Sequence, residues 1–253
     1  MSKGEERLGE IRFNKFGSEM KIVEYNNAHD VWVEFEHGNR VHTEYKHFKK
    51  GVVKNPYDKS VFNVGCLGEG LYKSKINYKY TPQYISWRNM MMRCYDKKFH
   101  EKQSSYSVCS VAEEWHNFQN FAKWYDENYY EIEGQSMHLD KDILVKGNNI
   151  YSPDKCVFVP RSINIIFTKR EARRGELPIG VCFDKITEKY QALCNNGNGK
   201  QAYLGRFHTP EESFKAYKGY KEDLIMQVAE QYKSMIPQTL YDALISYKVE
   251  IND

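Results

Sequence analysis

Between Gly9 and Pro56 apolar and polar residues alternate with the two-residue period of a pleated strand. The apolar positions fall in runs: Ile11 and Phe13; Met20, Ile22 and Val23; Val31, Val33 and Phe35; Val41 and Tyr45. Turn-forming residues at 14–17, 26–30 and 37–39 separate them. The pattern predicts four or five short strands forming a small barrel-like domain over residues 1–62, capped by residues 47–51 and closed at Asn55-Pro56. The period then disappears. Residues 63–81 hold three glycines and the lysines Lys73, Lys75 and Lys79, and read as a linker able to follow a nucleic-acid backbone.

A helical spacing starts at Thr81-Pro82, with Ile85, Trp87, Arg88, Met91, Met92, Cys94 and Tyr95. Ser110 and Glu113 have the spacing of a capping box ahead of Trp115, Phe118, Phe121, Ala122 and Tyr125. The methionine and tryptophan stripe reads as core. Over residues 137–168 two short strands, around 138–144 and 155–159, flank a turn at Gly147-Asn148-Asn149, and a helix follows Pro160. After residues 169–176 come three β-like runs, 180–183, 190–194 and 202–207, the last two joined by an Asn-Gly turn. Thr209, Pro210 and Glu212 then start a long helix whose apolar face carries Phe214, Tyr217, Leu224, Ile225, Val228 and Tyr232, with Lys221 in the same stripe. Residues 235–253 give a short helix from Pro237, with Leu240, Leu244 and Tyr247, and an edge strand at 249–253.

The expected class is therefore α+β, built from several small modules: 1–62, 63–81, 82–168, 169–176, 177–234 and 235–253. Composition narrows the partners. A hydrophobic content of 41%, 28% charged residues and a net charge of +3 describe a mildly basic chain that permits nucleic-acid binding without requiring it. The six cysteines scatter without a Cys-x-x-Cys pair, so no zinc ribbon or finger spacing is present. No apolar run reaches membrane-spanning length and the first residues hold no leader pattern, so a reducing cytoplasm is expected, with no membrane partner. His29, His37, His42 and His47 are irregularly spaced and read as surface or turn residues. The basic run Lys46, Lys49, Lys50 and Lys54 suits either phosphates or a solvated face.

Two stretches carry words of known families. Gly180-Val181, the strand Lys189-Tyr190-Gln191-Ala192, and Leu204-Gly205-Arg206-Phe207-His208-Thr209-Pro210-Glu211-Glu212 with Ala216-Tyr217 resemble the APETALA2/ethylene-response-factor DNA-binding domain. That resemblance implies a sheet that enters the major groove of double-stranded DNA, with Lys185, Lys189, Tyr190, Lys200 and Arg206 as its contacts. Cys182 and Phe183 stand where the family uses arginine, and Tyr190 where it has tryptophan.

Residues 137–168, with Trp87, Met90, Arg93 and Cys94 upstream, resemble the ββα-metal finger of phage HNH endonucleases, enzymes that hydrolyse phosphodiesters with Mg²⁺ or another divalent ion. Asp140 matches the metal-binding aspartate and Asn164 the closing helix position. Lys141 replaces the base histidine, and Lys155 the asparagine before Cys156. On a strand, His138, Asp140 and Asp142 share one face, so His138 could act as base and Asp140 and Asp142 as metal ligands; the same alternation also suits an exposed strand without chemistry. Lys141, Lys146, Lys155, Arg161, Lys169, Arg170, Arg173 and Arg174 crowd the finger and the linker after it, where they could hold phosphates directly. Three functions follow: a DNA endonuclease, a DNA-binding regulator with an inactive finger, or a protein-binding inhibitor of a host factor acting through the N-terminal barrel.

Overall fold

The computed structural model describes residues 6–168, 176–197 and 199–253. The chain divides into two compact units, Met1–Glu127 and Asn128–Asp253. Both mix helix and strand. The division falls inside residues 82–168, so the two central helices and the ββα stretch lie in different units.

In the first unit β1 (Ile11–Phe13), β2 (Glu19–Asn27), β3 (Asp30–Phe35) and β4 (Arg40–Thr43) form an antiparallel meander. Met20, Ile22, Val31, Val33 and Phe35 turn to one side, where Phe48 of α1 (Tyr45–Lys49) and Val53 cover them. The expected barrel does not close: β1 pairs only with β2, and β4 only with β3. The edge strands are too short to curl round and meet, and α1 with the following loop takes the place of the missing strands over the core. A buried polar cluster fixes that loop. Asp58 accepts hydrogen bonds from Asn14 Nδ2 (2.8 Å), Ser18 Oγ (2.6 Å) and the backbone N–H of Asn55 (3.0 Å).

Part of the expected linker is instead a hairpin, β5 (Lys75–Ile76) with β6 (Lys79–Tyr80). Two-residue strands are too short to show a period in sequence. α2 (Pro82–Tyr95) starts as expected, with Thr81 accepting the Tyr84 N–H, and buries Trp87, Met90, Met91 and Cys94. α3 (Lys97–His100) follows. The Ser110 and Glu113 pair does not form a capping box: Ser110–Val111 is extended (β7), and Glu113–His116 is a single tight turn. Burial of Trp115, whose carbonyl accepts Trp87 Nε1–H at 2.7 Å, holds the chain there. α4 (Phe118–Asn128) begins later, with the Asn117 carboxamide accepting the Gln119 N–H at 3.0 Å.

The second unit contains β8 (Met137–Asp140), the short β9 (Ile150–Tyr151), β10 (Val157–Pro160) and α5 (Arg161–Ile166). A three-stranded antiparallel sheet follows, β11 (Val181–Asp184), β12 (Lys189–Asn195) and β13 (Gln201–Phe207), then α6 (Pro210–Tyr232) and α7 (Gln238–Ile245). Thr209 and Glu212 form the full reciprocal capping box. α6 serves two cores. Its first half packs Tyr217 and Phe214 on Ala192 and Cys194 of the sheet. Its second half packs Ile225 and Ala229 on Val157, Val159, Ile163 and Ile166, together with Leu240 and Leu244 of α7. Gly180 takes a φ of +77° and lies under the Tyr217 ring, where an added Cβ would come within 2.0 Å of Cδ2. The expected edge strand at 249–253 is absent; Val249 N–H bonds Glu222 Oε1 at 2.8 Å, and the segment turns instead of pairing. Among the described residues no helix is long and apolar enough to cross a membrane, and the six cysteines are free thiols.

Candidate functional site

The finger is built on the β8 and β10 pair. Its register sets His138 opposite Val159 and Asp140 opposite Val157, which places both polar residues on the face turned toward α5. There the Asn164 amide lies 3.4 Å from His138 Nδ1, and Ser136 Oγ lies 3.3 Å from Nε2. β8 ends at Asp140, short of the expected Leu144, because that side chain turns back: Oδ1 accepts the N–H groups of Asp142 and Ile143, each at 2.9 Å. Asp142 is therefore not on the strand, and the expectation that it continues the His138 and Asp140 face is corrected.

Lys141 fills the middle of this turn. Its side chain is buried, and the ammonium donates to Asp142 Oδ2 at 3.3 Å and to the Asn148 carbonyl at 3.1 Å. Asn148 replies through Nδ2, which donates to the carbonyls of Lys141 (2.6 Å) and Ile150 (2.7 Å). The lysine expected to face phosphate thus points inward and ties the turn together. Burial, and then the neighbouring Asp142 carboxylate, push the Asp140 carboxyl up to about 6. Among the described residues no three His, Cys, Asp or Glu side chains converge as a metal ligand set. A divalent ion on Asp140 and Asp142 would sit beside the Lys141 ammonium, a cation already supplied by the chain; these residues do not fit such an ion.

The other expected contacts of the finger scatter. Lys155 is half-buried in the turn before β10, Arg161 is exposed at the first residue of α5, and Lys146 reaches Asp253 at 2.8 Å and the Lys248 carbonyl at 2.7 Å. Lys169, Arg170, Arg173 and Arg174 lie outside the described residues.

The second candidate surface is the side of the β11–β13 sheet away from α6. Paired residues share a face. Ala192 and Cys194 are buried against α6, so Cys182, Gln191 and Arg206, which pair across the sheet, lie on the opposite face, as do Asp184 with Lys189 and Leu193 with Tyr203. Asp184 organises it. The carboxylate accepts from Thr187 Oγ1 (2.8 Å), Gln191 Nε2 (2.7 Å) and the Ile186 N–H (3.0 Å), and lies 3.2 Å from Arg206 Nη2. The Thr187 hydroxyl first, then the Ile186 N–H, hold its carboxyl below the usual range. Lys185 and Lys200 are exposed in the turns that flank β12. Tyr190 pairs with Phe183 and Phe207, so it sits on the α6 side, its ring centroid 5.1 Å from that of Phe183 with the planes tilted by 55°, and does not share the face of Arg206.

The sequence brought forward the cationic members of this surface and missed Asp184, Gln191 and Tyr203. Strand parity along β12 from Ala192 would have found Gln191; Asp184 and Tyr203 needed the pairing register, which a bulge shifts between Ala192 and Leu193. No family model, no curated protein and no solved structure matches the chain.

Proposed function

We propose that this protein binds double-stranded DNA with the open face of the β11–β13 sheet. The observation that carries the reading is the line of Lys189, Gln191 and Arg206 across that face, with Lys185 and Lys200 at its turns. Three strands about 4.8 Å apart present a ridge about 10 Å wide, and the major groove of B-form DNA is about 12 Å wide. Lysines at the turns would meet phosphates, while Gln191 and Arg206 carry donors suited to base edges. Asp184 holds these two side chains in place before contact. Lys169, Arg170, Arg173 and Arg174 would extend the phosphate contacts along the chain.

A second reading, phosphodiester hydrolysis at the finger, is favoured by the approach of Asn164 to His138 and by the raised Asp140. Lys141 counts against it, since its ammonium already pairs with Asp142, one of the two carboxylates that would hold an ion. Gel retardation of duplex DNA, with and without Mg²⁺ or Mn²⁺, separates the two. Retarded and intact DNA, with binding weakened about 5–100-fold by Arg206→Ala and a salt slope reduced by about 1 for Lys189→Ala, is the expected result. Metal-dependent nicking abolished by His138→Ala would replace it with the hydrolytic reading. Absence of retardation, or retardation that Arg206→Ala leaves unchanged, would overturn it.

A further inference from the structure

The β5–β6 hairpin belongs to the first unit, the β11–β13 sheet to the second, and the hairpin has chemistry of its own. Its two turn residues, Asn77 and Tyr78, take φ values of +49° and +63°, the pair of left-handed conformations that a tight two-residue hairpin needs. Asparagine adopts this readily, whereas tyrosine does so at a cost of about 1 kcal/mol. No packing repays that cost, because Tyr78 is 99% exposed. On β6, Tyr80 stacks on Tyr84 with ring centroids 5.1 Å apart, and Lys75 Nζ lies 4.4 Å from the Tyr80 ring.

The surroundings are cationic. Lys73, Lys75 and Lys79 are exposed, and residues 71–81 contain no carboxylate. Two carboxylates stand nearby: Asp126 accepts from Gln83 Nε2 at 2.7 Å, and Asp126 and Glu127 both act on the Tyr72 hydroxyl. A groove of about 500 Å³ runs beside the hairpin, with Leu71, Lys73, Lys75 and Ile76 along it and Phe118 in its lining. The combination is a fully accessible aromatic ring at a tip, a groove of mixed polar and apolar lining behind it and lysines along both. A duplex keeps its base faces stacked inside, so such a ring finds a partner only where bases are unpaired.

We propose that the β5–β6 hairpin binds single-stranded nucleic acid, stacking a base on Tyr78 while Lys73, Lys75 and Lys79 line the phosphate backbone. The surface is separate from the β11–β13 sheet and does not depend on duplex binding there.

The test is fluorescence anisotropy of a labelled oligothymidylate titrated with the full chain. Tyr78→Asn removes the ring and suits the left-handed turn, so the hairpin is kept; it is expected to weaken binding about 5–100-fold. Tyr78→Phe is expected to bind as the parent does. Replacing Lys73, Lys75 and Lys79 together by glutamine is expected to reduce the slope of log affinity against log salt by about 2. Unchanged affinity in Tyr78→Asn, or equal weakening in Tyr78→Phe, would overturn the proposal, as would a salt slope untouched by the triple substitution. Arg206→Ala provides the separation: it should impair duplex binding and leave oligothymidylate binding intact, so either surface can fail without the other.

Discussion

Lys221, near the middle of α6, donates its ammonium to the carbonyl of Ile166, the last residue of α5. The side chain is buried, and burial holds its ammonium below the ordinary lysine range. A cation at the end of a helix meets the carbonyls that the helix leaves unpaired. This contact joins the finger to the helix that also carries the sheet. Lys221→Ala, which loses both the bond and the packed stem, is expected to lower the unfolding free energy by about 2–4 kcal/mol. Lys221→Met keeps most of the stem and relieves the buried charge, so its loss should be smaller. Urea denaturation of both variants measures the difference, and a methionine variant as weak as the alanine one would contradict this division of roles.

The raised Asp140 gives a pH dependence with a definite sign. In the unfolded chain the carboxyl ionises near its ordinary value of 3.8, while the folded protein holds its proton up to about 6. As pH rises between these values the unfolded state releases the proton first, so the contribution of this group to stability falls, by at most about 3 kcal/mol. Asp140→Asn keeps an oxygen for the N–H groups of Asp142 and Ile143 and removes the titration. It should match the parent near pH 4 and exceed it near pH 7. Denaturation curves across that range that run parallel for both proteins would refute the assignment.

In the first unit, Asp58→Ala would remove the acceptor shared by Asn14 Nδ2, Ser18 Oγ and the Asn55 N–H at once. The expected loss is about 3–5 kcal/mol, visible as a lowered thermal midpoint. A loss below about 1 kcal/mol would mean that water replaces the carboxylate at little cost.

Gly180→Ala adds a methyl where Tyr217 already lies, at a φ that favours glycine. It should destabilise the sheet by about 2–4 kcal/mol. Near-parental stability in calorimetry would show that Tyr217 can move aside freely.

Where a signal was local and repeated, the chain could be read directly. The alternation of β2 and β3 and the Thr209 to Glu212 box of α6 are formed as their spacing predicts. The failures have physical causes. The Ser110 and Glu113 spacing is a sound helix start by itself, yet burial of Trp115 overrides it. Barrel closure depends on edge strands meeting in space, which alternation along one strand does not encode. The hairpin lacks the usual Asn-Gly pair, and its turn uses Asn77-Tyr78. At the candidate sites, the cations were legible and their directions were not. Lysine is read by default as a surface charge, so the inward Lys141 was missed, and a strand read past Asp140 placed Asp142 on the wrong footing.

The double use of α6 also orders events during synthesis. A ribosome releases β8, β10 and α5 well before Ile225, Ala229, Leu240 and Leu244, the residues that close their core. Until those arrive, Val157, Val159 and Ile163 have only Tyr130, Ile132, Ile143 and Leu144 of the earlier chain to shield them from water. The second unit is thus expected to stay open until its last helices emerge, leaving that apolar stretch to chaperones in the interval.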